Sequence, residues 1–308
     1  MTKGTGAVPD ATVPSASQEP RSLRSRFIDL LIRVMVGVPK ILPWRMRLAV
    51  SDFLMAWIIA PIVGYRRRIR DNLALVCPDL PEKEVARLCR RVPGNVGRFV
   101  AEVMSPKDFF KRATPVPVTG AGVDAFNEAL EAKRPLIFIS GHFGNFDAAR
   151  VAFVDQGRKI GALYRPNEDP YVDAHYTAML SGIAEPIFPR GRRGLGAMIK
   201  FLRAGNALAI LVDQHVKDGA ILRFFGKPAA TTLSPAELAL KYDALLIPCY
   251  GIRRGQGYEV VIESPIPHST PEVMMQAFND SLEARVRADM DQWLWIHRRW
   301  KSADDKVA

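Results

Sequence analysis

Cysteine is scarce. Cys77, Cys89 and Cys249 are an odd, scattered set without CxxC spacing, which excludes a disulfide framework and a zinc knuckle. A reducing compartment suits them. Histidine is nearly as sparse. His142, His175, His215, His268 and His297 include no HExxH and no other tight ligand pair, so neither a metal nor another cofactor is expected. No apolar run reaches the ~20 residues that a membrane-crossing helix needs. The stretch 48–64 is interrupted by Asp52 and weakened near its end by Pro61. The N-terminus lacks the basic start and apolar segment of a secretory signal. Helix-turn-helix, zinc-finger and RNP signatures are absent too, so the chain offers no nucleic-acid-binding motif.

Acidic residues are outnumbered. Lys+Arg 43 against Asp+Glu 32 leaves a formal net charge of +11 over 308 residues. That balance favours an anionic partner: nucleic acid, anionic lipid or a phosphorylated substrate. With 48% hydrophobic and 24% charged residues, the chain is neither wholly disordered nor a polytopic membrane protein.

Residues 1–20 are small, polar and Pro-rich, and a disordered tail is expected; a second tail is expected over 302–308. From 21 to 70 the texture changes. Phe27, Leu30, Leu31, Val34 and Val38 recur at helical spacing among Arg24, Arg26 and Arg33, an amphipathic pattern with basic edges. The apolar stretch 53–65 follows, and Arg66, Arg67 and Arg68 come directly after it. An apolar helix ending in a basic cluster suits an anionic leaflet, so this segment is expected to associate with a membrane surface. Core helices and a true span are the competing readings.

Residues 71–301 are expected to form the main domain. After a helical, basic stretch to about 107, short apolar strands alternate with helices. Strands are expected near 135–141, 160–163, 187–188, 207–212, 245–250 and 258–262, and a last helix from 271 to about 300. This alternation implies an α/β fold: a mixed, partly parallel sheet flanked by helices, preceded by N-terminal amphipathic helices.

The most informative segment is ISGHFGNFD, ending at Asp147. A buried strand ends at Gly141, and His142 follows at its carboxyl end, where α/β sheets place their sites. Gly144 permits a tight turn, Asn145 can cap the next helix, and Asp147 falls in its first turn. The spacing predicts the Asp147 carboxylate against one nitrogen of His142, leaving the other nitrogen free as a general base. Ser140 is not in a GxSxG elbow, because Phe138 holds the first glycine position. The nucleophile would then be a substrate hydroxyl. A His–Asp pair that only holds the turn is the bland alternative. Further along, Arg190 and Arg192 lie in a Gly- and Arg-rich loop before a helix, a phosphate-clamp pattern, with a solvated basic loop as its alternative. Asp213 ends a strong strand, where a loop-organising role is expected and an essential carboxylate remains open. The aromatic-basic terminus with Trp293, Trp295 and Trp300 reads as core packing or an interface anchor.

The His142-x4-Asp147 box resembles the HX4D/E box of glycerolipid and lipid A acyltransferases. The Tyr164–Asn167 YRPN, the loop with Arg190 and Arg192, Asp213-Gln214, the SPAE at Ser234 and the WIHRRW ending at Trp300 follow in that family's order, as do Arg70-Asp71-Asn72-Leu73 and Gly97-Arg98 upstream. Together, over about 25–301, they resemble the late acyltransferases of lipid A biosynthesis. Asp147 stands where many members carry Glu. The resemblance implies transfer of a fatty acyl chain from an acyl thioester, usually on acyl carrier protein, to a hydroxyl of a lipid A precursor at the cytoplasmic face of the inner membrane. His142 would be the base and Asp147 its orienter, with no covalent intermediate. The oxyanion would be met by Arg165 or nearby backbone N–H groups, and the acceptor's anionic groups by Arg190 and Arg192. Acylation of a lysophospholipid or an amino-acid lipid is the alternative, and a basic nucleic-acid-binding protein the outside one.

Overall fold

The computed structural model describes residues 41–167 and 169–301. The expected tails, 1–20 and 302–308, and the amphipathic pattern around Phe27 to Val38 lie outside the described residues.

Helix α1 starts at Trp44–Phe53, continues through a π-helical stretch Leu54–Ile59 and ends with Ala60–Ile62. Gly64, at φ +74°, turns the chain into α2, Tyr65–Val76, bent 82° from α1. Among the described residues no single helix is long and apolar enough to cross a membrane. Helix α3, Glu82–Val103, packs along α1. Gly97 makes that approach possible, since a Cβ there would strike the Ser51 carbonyl. Asp52, which interrupts the apolar run, pairs with Arg98 at 3.1 Å. The expected domain boundary at 70 falls inside α2, whose Ile69 and Leu73 are fully buried in the same core as the sheet.

The remaining elements are α4 (Pro106–Ala113), β1 (Val118–Thr119), α5 (Val123–Glu131), β2 (Leu136–Ser140), α6 (Asp147–Asp155), β3 (Ile160–Tyr164), α7 (Pro170–Ile183), β4 (Ile187–Pro189), α8 (Arg192–Arg203), β5 (Ala207–Leu211), a hairpin β6–β7 (Ala220–Phe224, Lys227–Thr231), α9 (Ser234–Tyr242), β8 (Leu245–Arg254), β9 (Gly257–Ile262) and α10 (Pro271–Ala288). The seven-stranded sheet runs β1-β9-β8-β2-β5-β3-β4. Five neighbouring strands, β8 to β4, are parallel, while β9 runs antiparallel to β8. The α/β expectation therefore holds. Every residue of β2 is buried, as a central parallel strand covered on both faces requires.

Strands β2 and β5 are neighbours, but the chain leaves them in opposite directions: β2 leads to β3 on one side and β5 to β8 on the other. A crevice opens beyond the carboxyl ends of strands at such a reversal.

One sequence expectation is corrected. The last helix ends at Ala288, not near 300. A short 3₁₀ turn, Met290–Gln292, follows, and then an irregular segment whose Trp293 and Trp295 are buried against Phe224 and Phe225. The hairpin carrying those phenylalanines was not expected from the sequence. Its aromatic packing, with Arg299 donating to the Ala230 carbonyl and Thr231 hydroxyl, draws the terminus inward as a core plug and holds these two tryptophans away from any membrane interface.

Candidate active site

Ser140 pairs with Leu211 in the β2–β5 register. His142 and Asp213 therefore emerge two residues beyond matched strand ends, side by side at the topological reversal. The Asp213 carboxylate is almost wholly buried and grips His142 twice. His142 Nδ1 lies 2.7 Å from Asp213 Oδ1, and the His142 backbone N–H donates to Oδ2 at 2.8 Å. The Trp293 indole N–H donates to Oδ2 as well, at 2.9 Å.

This carboxylate fixes the tautomer: Nδ1 carries the proton toward Asp213 and Nε2 is left bare. Burial alone would pull the imidazole below its ordinary value. The charge and hydrogen bond of Asp213, with a further push from the Asp147 charge, outweigh burial, and the net shift is upward. Burial pushes Asp213 up, but the His142 charge, its ring and backbone hydrogen bonds and the Trp293 indole hold it down at about 2.

The expected contact between Asp147 and His142 is not made. Asp147 Oδ1 accepts from Arg150 Nη1 at 2.9 Å, with both side chains buried. The cause is helical: Asp147 and Arg150 are i,i+3 neighbours on one face of α6, while both hydrogen-bonding edges of His142 already point to the adjacent strand end. Arg150 in turn donates to the Leu180 and Ala184 carbonyls of α7 and its end. Asp147 thus ties α6 to α7 and reaches His142 only as a nearby negative charge.

The turn between His142 and α6 matches its sequence signals. Gly144 has φ +59°, and a Cβ there would strike the Gly251 carbonyl. Asn145 Oδ1 accepts from the Asp147 N–H, and its amide donates to Glu102, a fully buried carboxylate also held by Arg253 and Tyr258. The backbone N–H groups of His142, Phe143, Gly144 and Asn145 are all engaged, with Asp213, Gly141, Gln292 and Gly251 respectively. Ser140 is buried with its hydroxyl near the Gly141 carbonyl, with no base beside it.

Strand ends β3 and β4 bring the basic residues near one another. Arg165 follows Tyr164, and the Arg190 N–H donates to the Tyr164 carbonyl at 2.9 Å. Arg165, Arg190 and Arg192 are exposed and form no ion pair among the described residues. Arg192 opens α8, whose first turn holds no acid. These arginines line the carboxyl edge of the sheet on β3 and β4, beside the pair on β2 and β5.

An apolar cavity of about 70 Å³ lies between α6, α7 and the ends of β2, β5 and β3, walled by Phe138, Ala162, Leu163, Leu180, Ala209 and Leu211. Asp147 is on its lining too. Ala162 and Ala209 are register partners, and their missing bulk leaves the slot.

A model of the family described as bacterial lipid A biosynthesis acyltransferase matches residues 15–302. The chain belongs to that family. It is an acyltransferase. It is 25% identical to the lipid A biosynthesis lauroyltransferase of Escherichia coli K12 over 78% of this chain and 80% of that protein. Similarity to a lipid A biosynthesis acyltransferase of Haemophilus influenzae is 24%, over 81% and 83% of the two chains. A phosphatidylinositol mannoside acyltransferase of Mycobacterium tuberculosis is 23% identical over 77% and 78%. Within this family chain, reading residues in sequence order missed the Asp213–His142 partnership and the Trp293 support. The available signal was that 142 and 213 each stand two residues beyond a buried strand.

Proposed function

We propose that the protein transfers a fatty acyl chain from an acyl thioester on acyl carrier protein to a hydroxyl of a lipid A precursor. The observation that carries this reading is the buried Asp213 carboxylate 2.7 Å from His142 Nδ1, which leaves Nε2 as the base. The acceptor hydroxyl gives its proton to Nε2 as its oxygen attacks the thioester carbon. The tetrahedral intermediate expels the thiolate, which takes that proton from the imidazolium. Asp213 stabilises the imidazolium directly and Asp147 at longer range, while Asp147 and Arg150 hold the wall between α6 and α7. General-base assistance of this kind contributes roughly 10²–10⁴-fold.

The apolar cavity is the slot for the acyl chain. It is small, about 70 Å³, and it widens as the chain enters. Arg165, Arg190 and Arg192 meet the anionic groups of the acceptor, as unpaired arginines at a helix start favour.

Attachment to the cytoplasmic face of the inner membrane is supported by α1. Phe53, Trp57, Ile58, Ile62 and Val63 are all exposed, and Arg67 is exposed just beyond them. Apolar insertion and basic attraction then act together. Arg66 and Arg68 also serve the fold, donating to the Ala56 and Ile296 carbonyls.

The relatives that bear the name phosphatidylinositol mannoside acyltransferase favour a second reading, in which the acceptor is a different lipid. The test is transfer by the purified enzyme from acyl carrier protein to a lipid A precursor, with mass spectrometry of lipid A and phospholipids from a deletion strain. A change in lipid A alone supports the first reading; a change confined to another lipid replaces it.

A further inference from the structure

We infer that Gln214 is a catalytic residue: its side-chain amide donates to the oxyanion of the tetrahedral intermediate. The inference rests on the general-base reading of His142. Gln214 Nε2 lies 3.3 Å from His142 Nε2. In the neutral ring that serves as the base, Asp213 takes the Nδ1 proton and Nε2 has only a lone pair to offer. Gln214 must therefore turn its NH₂ toward the ring, since its carbonyl would face another acceptor.

An attacking hydroxyl must occupy the space in front of Nε2, so it displaces that contact. The amide is then released next to the reacting carbon, where it needs only a small movement to meet the new oxyanion. The step balances as an acyl transfer. The hydroxyl proton goes to Nε2, the C–O bond forms and the carbonyl electron pair moves to oxygen. It returns as the C–S bond breaks and the thiolate takes the proton.

The four N–H groups from His142 to Asn145 already have acceptors, so this part of the turn offers that oxyanion no free donor. Gln214 is partly exposed and adjoins Asp213 in sequence, so the carboxylate that orients the base also places the donor. The His297 ring lies 5.9 Å from that of His142.

The test uses Gln214→Met, which keeps the length and removes the donor, and Gln214→Ala. Three quantities are read on the full chain: kcat, the Kd of an alkyl thioether of the carrier thiol as a ground-state mimic, and the Kd of an alkylphosphonate analogue of the thioester as a tetrahedral mimic. Unchanged thioether binding also certifies that the variant is folded. The expected result is a fall in kcat of about 10²–10³-fold, an unchanged thioether Kd and a parallel loss of phosphonate affinity. A kcat within a few fold of wild type overturns the inference. So does a lower kcat with unchanged phosphonate affinity, which would mean that Gln214 acts only through the base. Near-wild-type turnover by His142→Ala would instead remove the general-base reading on which the inference stands.

Discussion

Trp293 and His142 share one acceptor: the Trp293 indole N–H and the His142 backbone N–H both donate to Asp213 Oδ2, at 2.9 and 2.8 Å. The C-terminal segment thereby supports the strand-end carboxylate that orients His142. It is itself held from the other side, since Asn72 of α2 donates to the Trp295 and His297 carbonyls. Trp293→Phe keeps most of the ring packing and removes the indole donor. It should destabilise the fold by about 1.5–3 kcal/mol, the range for a hydrogen bond to a charged group, and lower kcat. Denaturant unfolding together with kinetics checks both.

The pH dependence follows from the same pair. If His142 is the general base it must be neutral to act, and Asp213 raises its pKa. Activity should therefore rise with pH through a midpoint above the ordinary imidazole value near 6.5. Asp213→Asn removes the raising charge and should move that midpoint down. The stability signs are opposite for the two partners of one interaction. The His142 share is present below the unfolded imidazole pKa and lost as pH rises through the raised folded value. The Asp213 share is present above the unfolded carboxylate pKa and lost as pH falls through about 2. A kcat/KM profile from pH 5 to 9 reads the first effect, and acid unfolding the second.

Asp147 and Arg150 form a buried pair. Arg150→Met leaves a buried carboxylate uncompensated, and a cost of about 3–5 kcal/mol is expected. Asp147→Ala strands the guanidinium in the same way, so it should lose both stability and activity. Thermal unfolding separates this from Asp213→Asn, whose main loss is in turnover.

If the slot between Ala162 and Ala209 takes the acyl chain, it should set the preferred chain length. Ala209→Leu fills it near the sheet and should shift the preferred donor toward shorter acyl chains, read by competition between carrier-bound chains of different length. Long chains retained at wild-type efficiency would move the acyl site elsewhere.

Strands and helices were legible where apolar runs and Gly or Pro punctuation agreed, as in β2 with its closing Gly141. The hairpin β6–β7 was not: its alternation is broken by Pro228 and paired alanines, and packing with Trp293 and Trp300 is what stabilises it. His142 was legible from its place after a buried strand. Its partner was not, because sequence spacing favours the near carboxylate of Asp147, while the partner is set by the register of β2 with β5, 71 residues away. The role of Gly97 and Arg98 was equally hidden, since both answer to α1 across a helix pair.

Membrane attachment should have two separable parts. High salt weakens only the electrostatic one, so it should release part of the protein from membranes. Arg67→Gln should make release by salt easier, and Trp57→Ser should weaken the residual, salt-resistant fraction. Flotation with vesicles of neutral and anionic phospholipid checks both.

The most direct measurement is kcat of Asp213→Asn for acyl transfer from acyl carrier protein, with the variant's fold verified by its unfolding curve. If the Asp213 carboxylate orients His142 and stabilises its imidazolium, turnover should fall on the order of 10³–10⁴-fold, as when a triad carboxylate is neutralised. A folded Asp213→Asn enzyme with turnover near wild type would contradict that role.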